Sequence, residues 1–252
     1  MRTRLVHRLV AIPAFVVLVG VSSAQSQELL RVVDTPTAGM LERGQVEFDL
    51  RLFPVGGVLA GVNVGLAREF LIGLSYGGLN VIGYGDVDWY PRPGVHARLR
   101  LIDESFLLPA VVLGFQSQGY GRFSDSRNRY EIKSRGFFVA ASRHYRAGVL
   151  LGLHGGLNYS LERDDGDDDL NAFVASTVDL GPQWSVLAEY DFAWNDNGPR
   201  ALGRGNGVLN LGLHWQLGDR LSLDVVFKNL THNTRGYDYA SRILTLRYWD
   251  RI

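Results

Sequence analysis

The chain contains no cysteine in 252 residues. That absence excludes a disulfide framework, an iron–sulfur centre and cysteine-ligated zinc. It equally excludes a lipid anchor on an N-terminal cysteine. Methionine is scarce, at 2 residues, and the formal net charge is zero. No global field therefore draws nucleic acid, which is not an expected partner. Long apolar runs are missing as well, with one exception at the N-terminus.

There, Arg2, Arg4 and Arg8 form a basic region, Leu9 to Val21 is almost continuously apolar, and the small residues Ser22 and Ala24 follow. This is the layout of a secretory signal peptide over 1–24, cut after Ala24. The apolar run falls short of the roughly 20 residues that a spanning helix needs. Residues 25–42 are expected as a periplasmic N-terminal segment and 43–252 as one folded unit.

What the sequence has in quantity is alternation. In Gln45–Phe53, the apolar Val46, Phe48, Leu50 and Leu52 are separated by Glu47, Asp49 and Arg51. A β-strand puts these two sets on opposite faces. The pattern recurs along the chain. Val95, Ala97, Leu99 and Leu101 oppose His96, Arg98 and Arg100. Val186, Ala188, Tyr190, Phe192 and Trp194 oppose Glu189 and Asp191. Leu211, Leu213 and Trp215 oppose His214, Leu223, Val225 and Phe227 oppose Asp224 and Lys228, and Leu244, Leu246 and Tyr248 oppose Arg247. About twelve strands result, most near the length of a tilted membrane strand.

Connection lengths give the strands a direction. Ala67–Glu69, Arg146–Ala147, Gly181–Gln183 and Gly218–Arg220 are tight, whereas alternate connections are long and polar, apart from the first, Pro54–Gly57. Short turns on one rim and long loops on the other mark an outer-membrane barrel. The apolar set also carries aromatics at strand ends (Tyr145, Trp184, Trp194, Trp215, Tyr248), as interface girdles do. The expected fold is all-β: an antiparallel up-and-down transmembrane β-barrel in a bacterial outer membrane. Lipid and lipopolysaccharide would surround it. Glu47, Asp49, Arg51, His96, Arg98, Arg100, Glu189, Asp191, His214, Asp224, Lys228 and Arg247 would line its lumen. A soluble lipocalin-like barrel would reverse the faces, but it has about eight strands.

Several segments together carry a likeness: "DTPTAGMLERG" before the first strand, "RLIDESFLLPAVVLGFQSQGYG" and "RYEIKSRGFFVAASRHY" in the middle, and "LHGGLNYSLE", "AEYDFAWND" and "GVLNLGLHW" beyond. The series resembles the YjbH-type outer-membrane proteins linked to exopolysaccharide or capsule production. The resemblance is strongest over about Arg92 to Tyr145. It implies a non-enzymatic role in exopolysaccharide export or a related passage, with polysaccharide and secretion-machinery proteins as partners. Members of that family are often longer; this chain has room for one barrel.

Other chemistry is weaker. The loop Glu162–Asp169 offers Asp164, Asp165, Asp167, Asp168 and Asp169 as a Ca²⁺ candidate, but the spacing is not that of an EF-hand and a solvated loop is the simpler reading. Glycine runs at Gly83–Gly85 and Gly203–Gly207 precede strands, not helices, and read as loop tips. No cofactor is implied. An outer-membrane hydrolase acting on lipid or acetylated sugar is the alternative; it would draw on His144, His154, His214 or His232 with Ser160 or Ser241, yet no G-x-S-x-G occurs. An occluded structural or adhesive barrel is a further one. Trp89, Tyr90, Tyr120, Tyr130, Tyr237 and Tyr239 in the long loops suit either sugar stacking or loop packing. An inward fold of the loop Gln118–Arg135 would close the lumen.

Overall fold

The computed structural model describes residues 28–235 and 241–252. The expected signal peptide, Tyr237 and Tyr239 lie outside them. Alternation has become strand throughout: β1 (Gln45–Phe53), β2 (Gly57–Ala67), β3 (Phe70–Leu79), the short β4 (Asp88–Trp89), β5 (Gly94–Ile102), β6 (Ala110–Gln116), β7 (Tyr120–Ser124), β8 (Arg129–Ile132), β9 (Gly136–Ala147), β10 (Val149–Tyr159), β11 (Asn171–Asp179), β12 (Trp184–Asp191), β13 (Val208–Gln216), β14 (Leu221–Lys228) and β15 (Ser241–Arg251). A 13-stranded antiparallel sheet includes β4, which only extends β3; the other twelve strands close a barrel. Each pairs with its neighbour in the meander, and β1 pairs with β15 from Gln45↔Arg251 to Leu52↔Leu244. Closure leaves no strand edge whose backbone groups would need water. Strands β7 and β8 form a separate hairpin within the β6–β9 loop.

The faces are inverted relative to a soluble protein. Phe48 is 50 % exposed and Leu74 55 %, whereas Glu47 is 0 % and Arg247 1 % exposed. Most of the apolar set points outward and most of the charged set inward, although Leu71, Val112, Phe173, Leu187, Val226 and Ile243 are buried on the inner face. Such an oily outer face belongs against lipid, and burying charge inside is tolerable only with partners. At the rim of the short turns, Trp184 and Trp215 stack with ring centroids 5.0 Å apart. Phe48 and Tyr248 meet across the β1–β15 seam at 6.5 Å.

One strand stops early. The pattern through Trp194 predicts continuation, but β12 ends at Asp191. Ala193 takes a left-handed φ of 51° and Trp194–Asp196 forms a 3₁₀ turn. The Asp191 carboxylate accepts the Ala193 N–H, and Asn171 accepts that of Trp194. These local bonds turn the chain over the barrel mouth.

The N-terminal segment departs further from expectation. Instead of hanging free beneath the barrel, the described part of 25–42 folds into the lumen. The Val32 N–H donates to Thr35 O and the Thr37 N–H to Leu30 O, closing a tight hairpin. Val32, Val33, Thr35, Thr37, Ala38 and Leu41 are almost wholly buried. Its side chains and backbone bond to β1, β5, β9, β12 and β14. Only a segment inside the cylinder can reach strands so widely spaced around the wall. The chain leaves the lumen over Gly65 of β2, where a Cβ would collide with the Leu41 and Glu42 carbonyls. Glycine there lets the two backbones touch.

Candidate functional site

The lumen is a set of charge clamps between this N-terminal plug and the wall. At the tip, Glu189 of β12 accepts the backbone N–H groups of Val33, Asp34 and Thr35 at 2.9, 2.9 and 3.0 Å, the Thr35 hydroxyl at 2.8 Å and the Asn210 amide at 2.6 Å. Three successive amides around one carboxylate make an anion nest. The charge also runs the other way. The Asp34 carboxylate accepts Arg51 Nη1 at 2.7 Å and the Tyr120 hydroxyl at 2.9 Å, and pairs with Lys228. Arg51 also donates to Val33 O at 2.7 Å, and Arg135 Nε donates to Asp34 O at 3.2 Å.

Lower down, Arg98 donates to the carbonyls of Leu30, Thr37 and Gly39. Arg31 on the plug pairs with Asp49 at 2.7 Å, and Arg100 reaches Glu28 at 2.7 Å. Wall residues satisfy one another elsewhere. Asp224 pairs with Arg247 and His214, Asp191 with Arg135, and Glu47 accepts the Trp249 indole N–H at 2.9 Å. His96 bonds Ser75 at 3.0 Å. Every residue expected on the lumen side thus lies on the inward face with a named partner. Between plug and wall, a space of ≈30 Å³ remains beside Arg31, Asp49, Ser75 and His96, enough for about one or two waters.

The long loops form a second closure. The loop from Gln118 to Arg135 folds inward, carrying the β7–β8 hairpin, so that Tyr120 touches both Asp34 and Phe53. Tyr90, Tyr120 and Tyr130 are buried. They pack as lid core and are not available to stack on sugar; Trp89 stays exposed but stacks on Tyr76 at 5.7 Å. Arg129, fully buried, holds Asp165 at 2.5 Å and Asp196 at 2.7 Å, and Lys133 holds Asp165 at 2.8 Å.

These contacts tie down part of the acidic loop and leave part of it solvated. Asp165 and Asp167 are buried, the first ion-paired and the second accepting the Asn197 and Gly198 N–H groups. Glu162 accepts those of Tyr130 and Ser134. Asp164, Asp168 and Asp169 point to solvent. Among the described residues, no three His, Asp or Glu side chains are grouped to hold a metal ion. Burial raises the Glu162 carboxyl above its ordinary value despite its bonds to Ser134 and Tyr130. Burial pushes Asp165 the same way, but Lys133 and Arg129 outweigh it and hold that carboxyl low. The Gly203–Gly207 tip is likewise tied down, since Asn233 accepts the Arg204 and Asn206 N–H groups.

Of the histidine candidates, His144 and His154 pack edge to face with ring centroids 5.7 Å apart, and His214 and His232 lie elsewhere. His144 pairs with Glu104, and His214 with Asp224. His232 sits on an exposed loop. Ser160 accepts the Glu162 N–H, and Ser241 opens β15. The closest Ser–His contact joins two residues that carried no sequence signal as a pair: Ser142 Oγ lies 2.8 Å from His154 Nδ1. The same oxygen accepts the Ala38 N–H of the plug, and Thr177 rather than an acid faces the other ring nitrogen. The plug tip itself was missed by sequence reasoning. Its one signal was the polar, turn-forming "DTPT" embedded in an otherwise apolar stretch.

Comparison with solved structures bears on the architecture. The KdgM porin has a TM-score of 0.50 at 8 % identity, over 81 % of this chain and 98 % of that one. The chain has the fold of an outer-membrane β-barrel. The barrel also matches the NanC porin, with a TM-score of 0.42 at 8 % identity over 82 % of this chain and 99 % of that one. The translocator domain of autotransporter NalP from Neisseria meningitidis follows at 0.39 and 11 %, over 82 % and 86 %. At these identities the likeness is one of fold. No protein-family model matches the chain, and no curated protein does. With the barrel in the outer membrane, the short-turn rim is periplasmic and the long loops face outward.

Proposed function

We propose that this barrel is a non-enzymatic passage for envelope polysaccharide, held shut by its own N-terminal plug. The observation that carries the reading is the chemistry of the plug's contacts. A permanently solid core gains nothing from charge, because well-packed apolar residues of similar volume are as stabilising as buried ion pairs or more so. Val32 and Val33 share an apolar cluster with Leu187, Val226 and Ile243, and Leu30 and Leu41 one with Leu71 and Phe173, but the tip of the plug is held by ion pairs and hydrogen bonds to polar wall groups. Water or a hydroxyl-rich chain can replace such contacts group for group. An apolar core offers no such exchange. The resemblance of "DTPTAGMLERG" and the central segments to YjbH-type proteins supports polysaccharide as the cargo. Notably, the first of those segments supplies the tip and second arm of the plug.

Planar-bilayer recording tests the reading. In a barrel whose inward hairpin 119–133 is replaced by a short turn, the plugged form is expected to be silent or nearly so, and the form that also lacks residues 28–41 is expected to conduct steadily. Glu189→Gln in the same background, which keeps the plug in the chain, is expected to give intermittent openings. Equal conductance in all three would sink the proposal, as would silence in all three while the barrels migrate as folded species.

A further inference from the structure

We infer that the spot occupied by Asp34 is a carboxylate-binding site of the lumen, and that the plug fills it in place of an acidic sugar. This inference rests on the plugged-passage reading above and adds the substrate class. The groups holding the Asp34 carboxylate all belong to the wall and lid: Arg51 on β1, Lys228 on β14 and Tyr120 on the inward hairpin. Arg51 and Lys228 also lie over the Tyr120 ring, 4.8 and 4.7 Å from its centroid. The Arg51 Nε–H, buried too, has no acceptor among the described residues.

With the hairpin withdrawn, two cations and a phenol converge on one point without their carboxylate. Neighbouring acids do not replace it: Asp191 is committed to Arg135, and Asp49, although it loses Arg31 with the plug, makes no ion pair with Arg51 or Lys228. Glu189 meanwhile loses three amides and a hydroxyl and retains the Asn210 amide. The emptied site therefore demands one carboxylate, for Arg51, Lys228 and Tyr120, and several O–H or N–H donors nearby, for Glu189. A hexuronate ring carries both. A neutral sugar would supply only the donors and leave two desolvated cations unpaired, which is costly. Asp34 and the tip amides thus present the chemistry of an acidic sugar: a carboxylate beside a row of donors.

The absence of native cysteine makes the test direct. Ala38→Cys places a single thiol on the buried plug, and its reaction with a membrane-impermeant maleimide reports plug release. Oligoglucuronate is expected to accelerate labelling roughly tenfold or more, and a neutral glucose oligomer of equal length to leave it unchanged. In an Asp34→Asn background, labelling is expected to be fast without ligand. That variant should bind oligoglucuronate roughly 10- to 100-fold more tightly than the neutral oligomer. Adding Arg51→Gln or Lys228→Gln should abolish the preference. Heat-modifiable gel migration verifies that each barrel is folded, and Lys228→Gln serves if Arg51→Gln fails to assemble. If Asp34→Asn labels as slowly as its parent, the plug does not leave, and both the passage and this site fall. If it labels fast yet binds both oligomers equally, the acidic-sugar inference alone is overturned.

Discussion

Lys228, at the outer end of β14, is ion-paired with Asp34 at the tip of the plug, 194 residues away in the chain. The pair is buried, and Asp34 serves Arg51 as well. Removing one member of such a pair strands the other. Asp34→Ala strands two cations, whereas Lys228→Ala leaves Asp34 with Arg51. Amide exchange over residues 29–41 is therefore expected to rise in both variants and further in Asp34→Ala. The loss from breaking a buried pair is about 3–5 kcal/mol. Equal exchange in the two would show that Arg51 does not share the carboxylate.

Glu189 anchors the tip by its charge rather than its bulk. In Glu189→Gln one oxygen becomes a donor facing the amides of Val33, Asp34 and Thr35. Exchange at these three amides is expected to quicken by at least about tenfold, since bonds to a charged group contribute roughly 1.5–3 kcal/mol. The wall strands should keep their protection.

The outer lid should respond to acid in a particular window. The Asp165 carboxyl is held low in the folded lid, so its contribution is fully present above the ordinary carboxyl pKa, about 3.9, and fades as pH falls towards the lowered value. Glu162 is raised and acts with the opposite sign. It takes up its proton at higher pH and that uptake favours the folded lid. Mild acid is therefore expected to leave the lid closed, and pepsin cleavage within Gln118–Arg135 should begin only below about pH 4. Arg129→Gln should move the onset upward.

The outward face can be tested at one position. Leu246 of β15 lies on the apolar band opposite Leu50. Leu246→Arg is expected to lower barrel stability in bilayers by about 2–4 kcal/mol, the range for a basic residue near the midplane. An unchanged urea midpoint would mean that this face does not meet lipid.

Much of the wall was legible because its signal is local. Glu47–Arg51 alternates with Val46–Leu52 within one strand, and lipid on one side with a polar lumen on the other imposes that period on each strand separately. The seam between β1 and β15 follows once the meander has to close. The plug was not legible, because "LLRVVDTPTAGML" has neither strand nor helix period and its partners lie on strands up to 194 residues distant. The lid failed for a related reason. Asp165 and Glu162 look like solvated loop charges until Arg129 and the Tyr130 backbone are brought over them by the β7–β8 hairpin. Trp194 continues a perfect alternation, yet Asp191 and Asn171 capture the following amides and bend the chain away.

Both arms of the plug emerge at the periplasmic mouth: Glu28 beside Arg100 and the turn at Asp103, Gly44 beside Gly65 and Ile252. The hairpin is therefore a stopper rather than a thread. It can be drawn out from below with every strand pairing of the cylinder intact, and no chain end need pass through the bore. A pull from inside the cell envelope is therefore enough to open it, so the interior side holds a handle while the exterior side sees only the lid.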